Sequence, residues 1–276
     1  MSLIPPAFMD KVVALGTQDN EGNIRYAASG FLYGQPSANE GRYYVYLVTN
    51  RHVVKGMRSP QIRFNALAGA APSILPLPPN DGGPNDHWIF HPDPDVDVAV
   101  LLIDSLGQTL QDVKVAFFTG NGQTERLDSM REGSVSEGDE VYVLGFPLGL
   151  AGAEQNYVIV RQGVIARIQD CYERRSKEFL IDSFVFPGNS GGPVILKPTM
   201  FSYGQTRPDP KLIGVVAAYQ PYVDVALSEQ TGKPRLIVQE NSGLATVIPV
   251  DLIQETVKLA AERYGITQPS PSVIPA

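Results

Sequence analysis

The chain has a single cysteine, Cys171, so no disulfide can close within it, and that scarcity fits a reducing compartment. It has no stretch of 18 apolar residues, which excludes a membrane-spanning helix. No run of Lys or Arg exceeds two residues and the formal net charge is −7, which argues against a nucleic-acid surface. Charged residues are only 18% of the chain, below the globular average of about 25%, so a disordered chain or a charge-laced coiled coil is excluded. The opening segment MSLIPPAFMDKVVALG lacks a basic stretch followed by an apolar run, so no signal peptide is expected and the expected setting is cytoplasmic. Three histidines and one cysteine, dispersed, offer no metal-ligand spacing, and neither a metal nor another cofactor is expected.

What is abundant is turn chemistry. Glycine (26) and proline (23) stand well above their usual combined share of about 12%, spread along the chain without a period. Between them lie short runs rich in Val, Ile, Tyr and Phe: Lys11–Leu15, Ala28–Tyr33, Tyr43–Thr49, Gln61–Asn65, Val98–Asp104 and Val113–Phe118. A second set follows the polar segment Gly120–Gly138: Glu140–Phe146, Tyr157–Arg167, Glu178–Phe186, Pro193–Lys197, Leu212–Tyr219, Arg235–Gln239 and Ala245–Val250. One helix is convincing, Asp251–Tyr264, with apolar residues at 3–4 spacing and Asp251 as its candidate N-cap. The reading is all-β: two six-stranded antiparallel barrels and a C-terminal α-helix. The expected divisions are an N-terminal barrel over 1–125, a second barrel with the helix over 126–265, and a frayed tail over 266–276. Residues 220–241 read as an inserted hairpin, Tyr222–Leu227 returning through Arg235–Val238, which either borders a cleft or stands as an exposed excursion.

The segment Phe186-Pro-Gly-Asn-Ser-Gly-Gly-Pro193 packs three glycines and two prolines around Ser190. It is either a glycine-rich turn or a loop that exposes a nucleophile. Small neighbours let a carbonyl approach the hydroxyl and let successive backbone N–H groups converge on one point. A serine hydroxyl needs a base, and the base an orienting carboxylate. His52 follows the β run Tyr44–Arg51 and sits at a strand end, where a rigid scaffold can aim it. His87 and His91 lie in a Gly/Pro/Asp-rich loop and read as surface residues. Asp97 immediately precedes the apolar run Val98–Ile103, where a carboxylate is costly unless paired. Asp95 is the competing carboxylate.

The order Thr49-Asn-Arg-His52, Asp97-Val-Ala-Val and Gly188-Asn-Ser-Gly-Gly-Pro193 resembles the chymotrypsin-fold serine peptidases, and within them the bacterial HtrA/Deg-type protease domains. Ala28-Ser-Gly-Phe-Leu, Gly138–Pro147, Leu212-Ile-Gly-Val-Val and Gly243–Pro249 extend the resemblance over residues 10–262. It implies that His52, Asp97 and Ser190 form a catalytic triad and that the N–H groups of Gly188 and Ser190 make an oxyanion hole. It further implies a primary pocket built from Phe184, Ala217, Ala218 and Tyr219, apolar and without a trypsin-like acid at its floor. Polypeptide substrates would pair with the Ala217–Tyr219 edge; neither nucleic acid nor membrane is an implied partner. Two departures stand out. Arg51 occupies a place where relatives carry a small residue, and it reads as pointing to solvent. Asn189 replaces the Asp that pairs with a new N-terminus in digestive relatives, so no activation by N-terminal insertion is expected. The residues after Ser190 are taken up by the second barrel and helix, leaving none for a PDZ domain. The rival reading is a binding or scaffold protein with an idle triad; an esterase on the same fold is a third.

Overall fold

The computed structural model describes residues 4–266 apart from 40, 68–70, 81, 84–85, 107–112, 203–204 and 208. Eight strands form the first sheet: β1 (Val12–Gln18), β2 (Ile24–Pro36), β3 (Tyr43–Thr49), β4 (Pro60–Phe64), β5 (Ser73–Pro76), β6 (Trp88–Phe90), β7 (Ala99–Leu102) and β8 (Phe118–Thr119). Their hydrogen-bonded order is β5-β4-β1-β2-β3-β7-β6, with β8 set parallel against β2. Among the described residues the path ends at β5 and β6 without closing, and the Trp88 indole N–H, donated to Pro78 O at 2.8 Å, ties β6 to the chain leaving β5.

The second half holds β9 (Glu140–Gly145), β10 (Ile159–Arg167), β11 (Phe179–Asp182), β12 (Pro193–Leu196), a small hairpin of β13 (Thr199–Ser202) and β14 (Gln205–Arg207), β15 (Lys211–Leu227) and β16 (Pro234–Pro249). Here the sheet closes as a six-stranded antiparallel barrel in the order β9-β10-β11-β16-β15-β12. The molecule is therefore mostly β, with one closed barrel, a second sheet and a C-terminal helix.

The period of two explains the strands. On β9, Val141 and Val143 face the inside of the barrel, while Tyr142 and Leu144 face the layer between the two halves. On β3, Leu47 points into the first sheet and Tyr46 and Val48 into that shared layer. Because both faces are covered, these strands read as unbroken apolar runs rather than alternating ones. The helix Val250–Arg263 joins the same layer through Val250, Ile253, Val257 and Ala260, a 3-4-3 spacing that makes one stripe.

Several expectations need correction. The run Val113–Phe118 forms a strand only at Phe118–Thr119; Val113 makes a lone bridge to Ala66, and Phe118 is held edge-on by the rings of Phe8 and Phe31. The Gly/Pro/Asp-rich segment that holds His87 and His91 is not all loop: it contains β6, which buries Trp88. Gly120–Gly138 carries two short helices, Gly120–Gln123 and Leu127–Glu132. Asp251 does not cap its helix: it is buried and accepts hydrogen bonds from Leu127 N and Arg126 Nε. His91 is buried rather than at the surface, taking the Asp93 N–H on Nδ1, and Cys171, whose polar stretch reads as a surface or half-buried thiol, is buried in the barrel core, where desolvation pushes its thiol up to about 12. Of the tail expected over 266–276, residues 267–276 lie outside the described residues.

Candidate active site

The chain leaves β3 at Thr49, passes Asn50 in an extended conformation and enters a short helix, Arg51–Gly56. Helical and extended geometry meet there, so residues 50, 51 and 52 fan outward, and all three grip the loop that leads into β7. Asn50 Nδ2 donates to Asp97 O at 2.8 Å. The His52 backbone N–H donates to Asp97 Oδ1 at 2.9 Å, and His52 Nδ1 lies 2.5 Å from Asp97 Oδ2. Arg51, far from pointing to solvent, donates from Nη1 to Pro94 O at 3.1 Å and from Nη2 to His91 O, with its guanidinium over the Phe90 ring. From the second barrel, Lys177 Nζ reaches the same loop, 2.5 Å from Asp93 and 3.2 Å from Asp95. That hydrogen bond holds the Asp93 carboxyl below its ordinary range and Lys177 above its own. Asp95 thus pairs with Lys177, while the carboxylate on His52 is that of Asp97. Burial, and after it the Asp97 charge, raises the neighbouring Glu178.

The loop Phe186–Pro193 is shaped by contacts that only glycine permits. Gly188 has φ +103°, and a Cβ there would stand 2.4 Å from Phe146 O; at Gly191, with φ +82°, it would stand 2.1 Å from Ser29 O. Pro187 O accepts the Leu148 N–H at 2.7 Å and Asn189 O accepts the Gly192 N–H at 2.9 Å. In a trans peptide the N–H points opposite to the C=O. The N–H groups of Gly188 and Ser190 are thus directed away from those partners, and among the described residues neither has an acceptor. Asn189 is buried and its Oδ1 closes the loop by accepting the Phe186 N–H at 2.9 Å.

One residue on the first sheet sets this loop. Ser29, fully buried on β2, donates from Oγ to Gly188 O at 2.6 Å and accepts there the Phe146 N–H at 2.9 Å. Its own N–H donates to Ser190 O at 2.9 Å, and its carbonyl accepts Thr49 Oγ1 at 2.9 Å. Sequence reasoning assigned Ser29 no role, although it lies in the Ala28–Leu32 segment that carried part of the resemblance.

His52, Gly188, Ser190, Ala217, Ala218 and Tyr219 all line one cavity of about 520 Å³ between the two halves. Val53 and Met57 border it on the first-sheet side, and Val185 and Phe186 beside the loop. Phe184 is not among the lining residues: its side chain is 55% exposed and rests beside Gly243. The step of one residue along the loop brings Val185 and Phe186 to the cavity instead. Ser190 Oγ donates to Ala217 O at 3.3 Å, and no hydrogen bond joins it to His52 among the described residues. His52 itself is half exposed, and among the described residues no acidic side chain other than its partner Asp97 is bonded to it. Among the described residues no three His, Cys, Asp or Glu side chains converge as a metal site would require, and no helix is long and apolar enough to cross a membrane.

Comparison with known proteins agrees with this layout. The trypsin-like peptidase domain profile matches residues 28–198, well over half of the chain and a span that includes His52, Asp97 and Ser190. Among solved structures, the protease domain of MamO from Magnetospirillum magneticum, in its apo form, is similar at 16% identity over 91% of this chain and 97% of that one, with a TM-score of 0.48. The structure of GrC is similar at 19% identity over 92% of this chain and 97% of that one, also with a TM-score of 0.48. No curated protein matches. The profile runs through most of the first sheet and into the barrel as far as residue 198, taking in the histidine and the serine that share the cavity: the chain belongs to the trypsin-like peptidase domain family.

Proposed function

We propose that the chain is a serine endopeptidase in which Ser190 is the nucleophile, His52 the general base and acid, and Asp97 the group that orients His52. The observation that carries this reading is that His52 Nδ1 is engaged by Asp97 while the N–H groups of Gly188 and of Ser190 itself, in residues lining the same cavity, have no acceptor among the described residues. With the Asp97 carboxylate on Nδ1, that nitrogen holds the proton and Nε2 is left as the base. Ser190 Oγ attacks the carbonyl carbon of the scissile bond as its proton passes to Nε2. The oxygen gains negative charge against the Gly188 and Ser190 N–H groups. Collapse expels the amine, which takes the proton from His52, and leaves an acyl-serine. Water then repeats the sequence, returning the free serine. For this step the Ser190 hydroxyl must leave Ala217 O and hydrogen-bond to His52.

The cavity lining contains no Asp or Glu, so a side chain that fills it is apolar rather than Lys or Arg. Ala217 and Ala218 leave room beside the serine, and Val185 supplies an aliphatic wall.

The test is labelling by a fluorophosphonate probe together with peptide hydrolysis, comparing wild type with Ser190→Ala and His52→Ala. Loss of about 10⁴–10⁶-fold in turnover is expected for either variant. Hydrolysis retained in Ser190→Ala overturns the assignment. The bond from Ser190 to Ala217 O favours one rival, a folded binding protein whose serine is held idle. Folded wild type that neither labels nor cleaves would establish that rival.

A further inference from the structure

We propose that the ribbon made by β15 beyond Tyr219 and β16 before Asn241 is a docking edge for the substrate chain, holding an extended aliphatic segment well upstream of the bond that is cut. The proposal rests on the peptidase reading and adds to it a recognition surface outside the cavity.

The ribbon leaves the barrel as a continuation of β15. β12 pairs with β15 only as far as Val215, with two further hydrogen bonds at Val216. From Ala217 to Leu227, about 33 Å at roughly 3.3 Å per residue, β15 has β16 on one side and, among the described residues, no strand on the other. Every second residue of such a strand directs its N–H and C=O outward. A long unpaired edge is a template for a further strand, and folded proteins ordinarily blunt it. This edge begins at the cavity residues Ala217, Ala218 and Tyr219, beside Ser190.

The side chains say what kind of strand it takes. Residues paired across a ribbon share a face. Val225 is paired with Ile237 and shares its face with Leu227; Leu236 and Val238 share the other with Tyr222. All six are exposed, four of them by more than half. A globular partner resting on one face would leave the other in water. A strand added at the edge lays its side chains alternately over both faces, and so suits a segment aliphatic at successive positions. Because all ladders in this barrel are antiparallel, the added chain runs against β15, with its N-terminal residues toward Leu227 and its scissile bond at Ser190.

The experiment measures binding, not cleavage, using Ser190→Ala protein and two fluorescein-labelled peptides that share one core sequence. One carries four residues before the cleavage position, the other twelve residues rich in Val, Ile and Leu. Fluorescence anisotropy should give at least tenfold tighter binding of the longer peptide. Val225→Asp combined with Ile237→Asp should bring the longer peptide to the affinity of the shorter. Melting temperature checks that the variant is folded, and Leu227→Lys with Leu236→Lys, nearer the tip, replaces it if it is not. Equal binding of the two peptides, or an affinity difference that survives both variants, overturns the proposal. So does a dimer, seen by light scattering, that the variants dissociate without altering peptide binding: the edge then serves a second copy. The fluorophosphonate label on wild type reports separately on the peptidase reading, so the two fail distinguishably.

Discussion

Removing one oxygen atom, by Ser29→Ala, tests how the nucleophile loop is aimed. Ser29 Oγ is fully buried and satisfies two backbone groups at once, the Gly188 carbonyl at 2.6 Å and the Phe146 N–H at 2.9 Å. Without it, both groups stay buried with no partner from β2. An orphaned buried group costs about 1–3 kcal/mol, so the variant should lose about 2–4 kcal/mol once the loop relaxes. At about 2–4 °C per kcal/mol for a chain of this size, the melting temperature falls by about 5–15 °C. The functional effect is separate. On the proposed mechanism, Gly188 O anchors the glycine whose N–H would face the developing oxyanion, and full loss of one such donor costs about 10²–10³-fold in kcat. A loosened donor should cost about 10–10²-fold, with KM little changed, because the donor matters most in the transition state. Thr49→Val is the control: it strips a hydrogen bond from Ser29 O and leaves Gly188 untouched, so it should lower the melting temperature with kcat within about threefold of wild type. If Ser29→Ala melts early yet keeps its kcat, the bond to Gly188 is structural and does not aim the donor. If neither quantity moves, the reasoning fails outright.

Three other expectations follow from single groups. Arg51→Ala frees the His91 and Pro94 carbonyls and lets the Asp97 loop drift, so kcat should fall about 10-fold and the pH profile should shift; Arg51→Lys, which cannot span both carbonyls, should rescue only partly, and an unchanged profile in Arg51→Ala would reject the coupling. Burial lowers Lys11 from 10.5 to about 8, so the unfolded chain binds more protons between those values and stability should rise with pH across that window; urea titrations should show the rise in wild type and lose it in Lys11→Met. In urea at neutral pH, peptide hydrolysis should be lost at a lower concentration than the fluorescence of Trp88, the single tryptophan, which is buried in the first sheet; coincident midpoints would show that site and fold are one cooperative unit.

The parts of the molecule legible in the sequence are those set by local pattern. Tyr43–Thr49 was readable as a strand because apolar residues on both faces leave an unbroken run, and Val250–Arg263 as a helix because its buried residues fall at 3-4-3 spacing. Ser190 and Gly188 stand out because backbone at positive φ, pressed against Phe146 O, admits only glycine. The inserted hairpin was readable too, since two β-rich runs flank Glu229–Lys233. What escaped depends on distant partners. Asp251 has the sequence position of an N-cap, yet its carboxylate serves Leu127 and Arg126, more than a hundred residues away. His91 sits among loop-forming residues and is buried only because the helix packs over it, bringing Glu255 to within 3.4 Å of Nε2. Lys177 carries no local signal at all for its place beside Asp93 and Asp95. Residue counting from Ser190 put Phe184 at the pocket, but a count along a chain does not register the turn that brings Val185 and Phe186 to the cavity and leaves Phe184 outward.

These long-range contacts have a common geometry. The first sheet supplies His52 and Asp97, the barrel supplies Ser190 and Gly188, and the two halves are pressed together by a shared apolar layer that includes Phe31, Tyr46, Leu144 and Ile253. Apolar burial favours contact but has no direction, so it tolerates small slides that a proton transfer does not. Direction comes from polar ties placed around the cavity: Ser29 to Gly188, Ser190 and Phe146 on one side, Lys177 to the Asp93–Asp95 loop on the other. The two sets differ in kind. Ser29 is buried, where each unmade bond is costly; Lys177 and its carboxylates are exposed and screened, worth little in stability. On the proposed assignment, register between Ser190 and His52 therefore rests chiefly on buried Ser29, and the Lys177 contacts trim the loop that carries Asp97. A fold that joins a closed barrel to a second sheet leaves its candidate site at the seam, and what fixes that seam is a few buried hydrogen bonds as well as the larger apolar area around them.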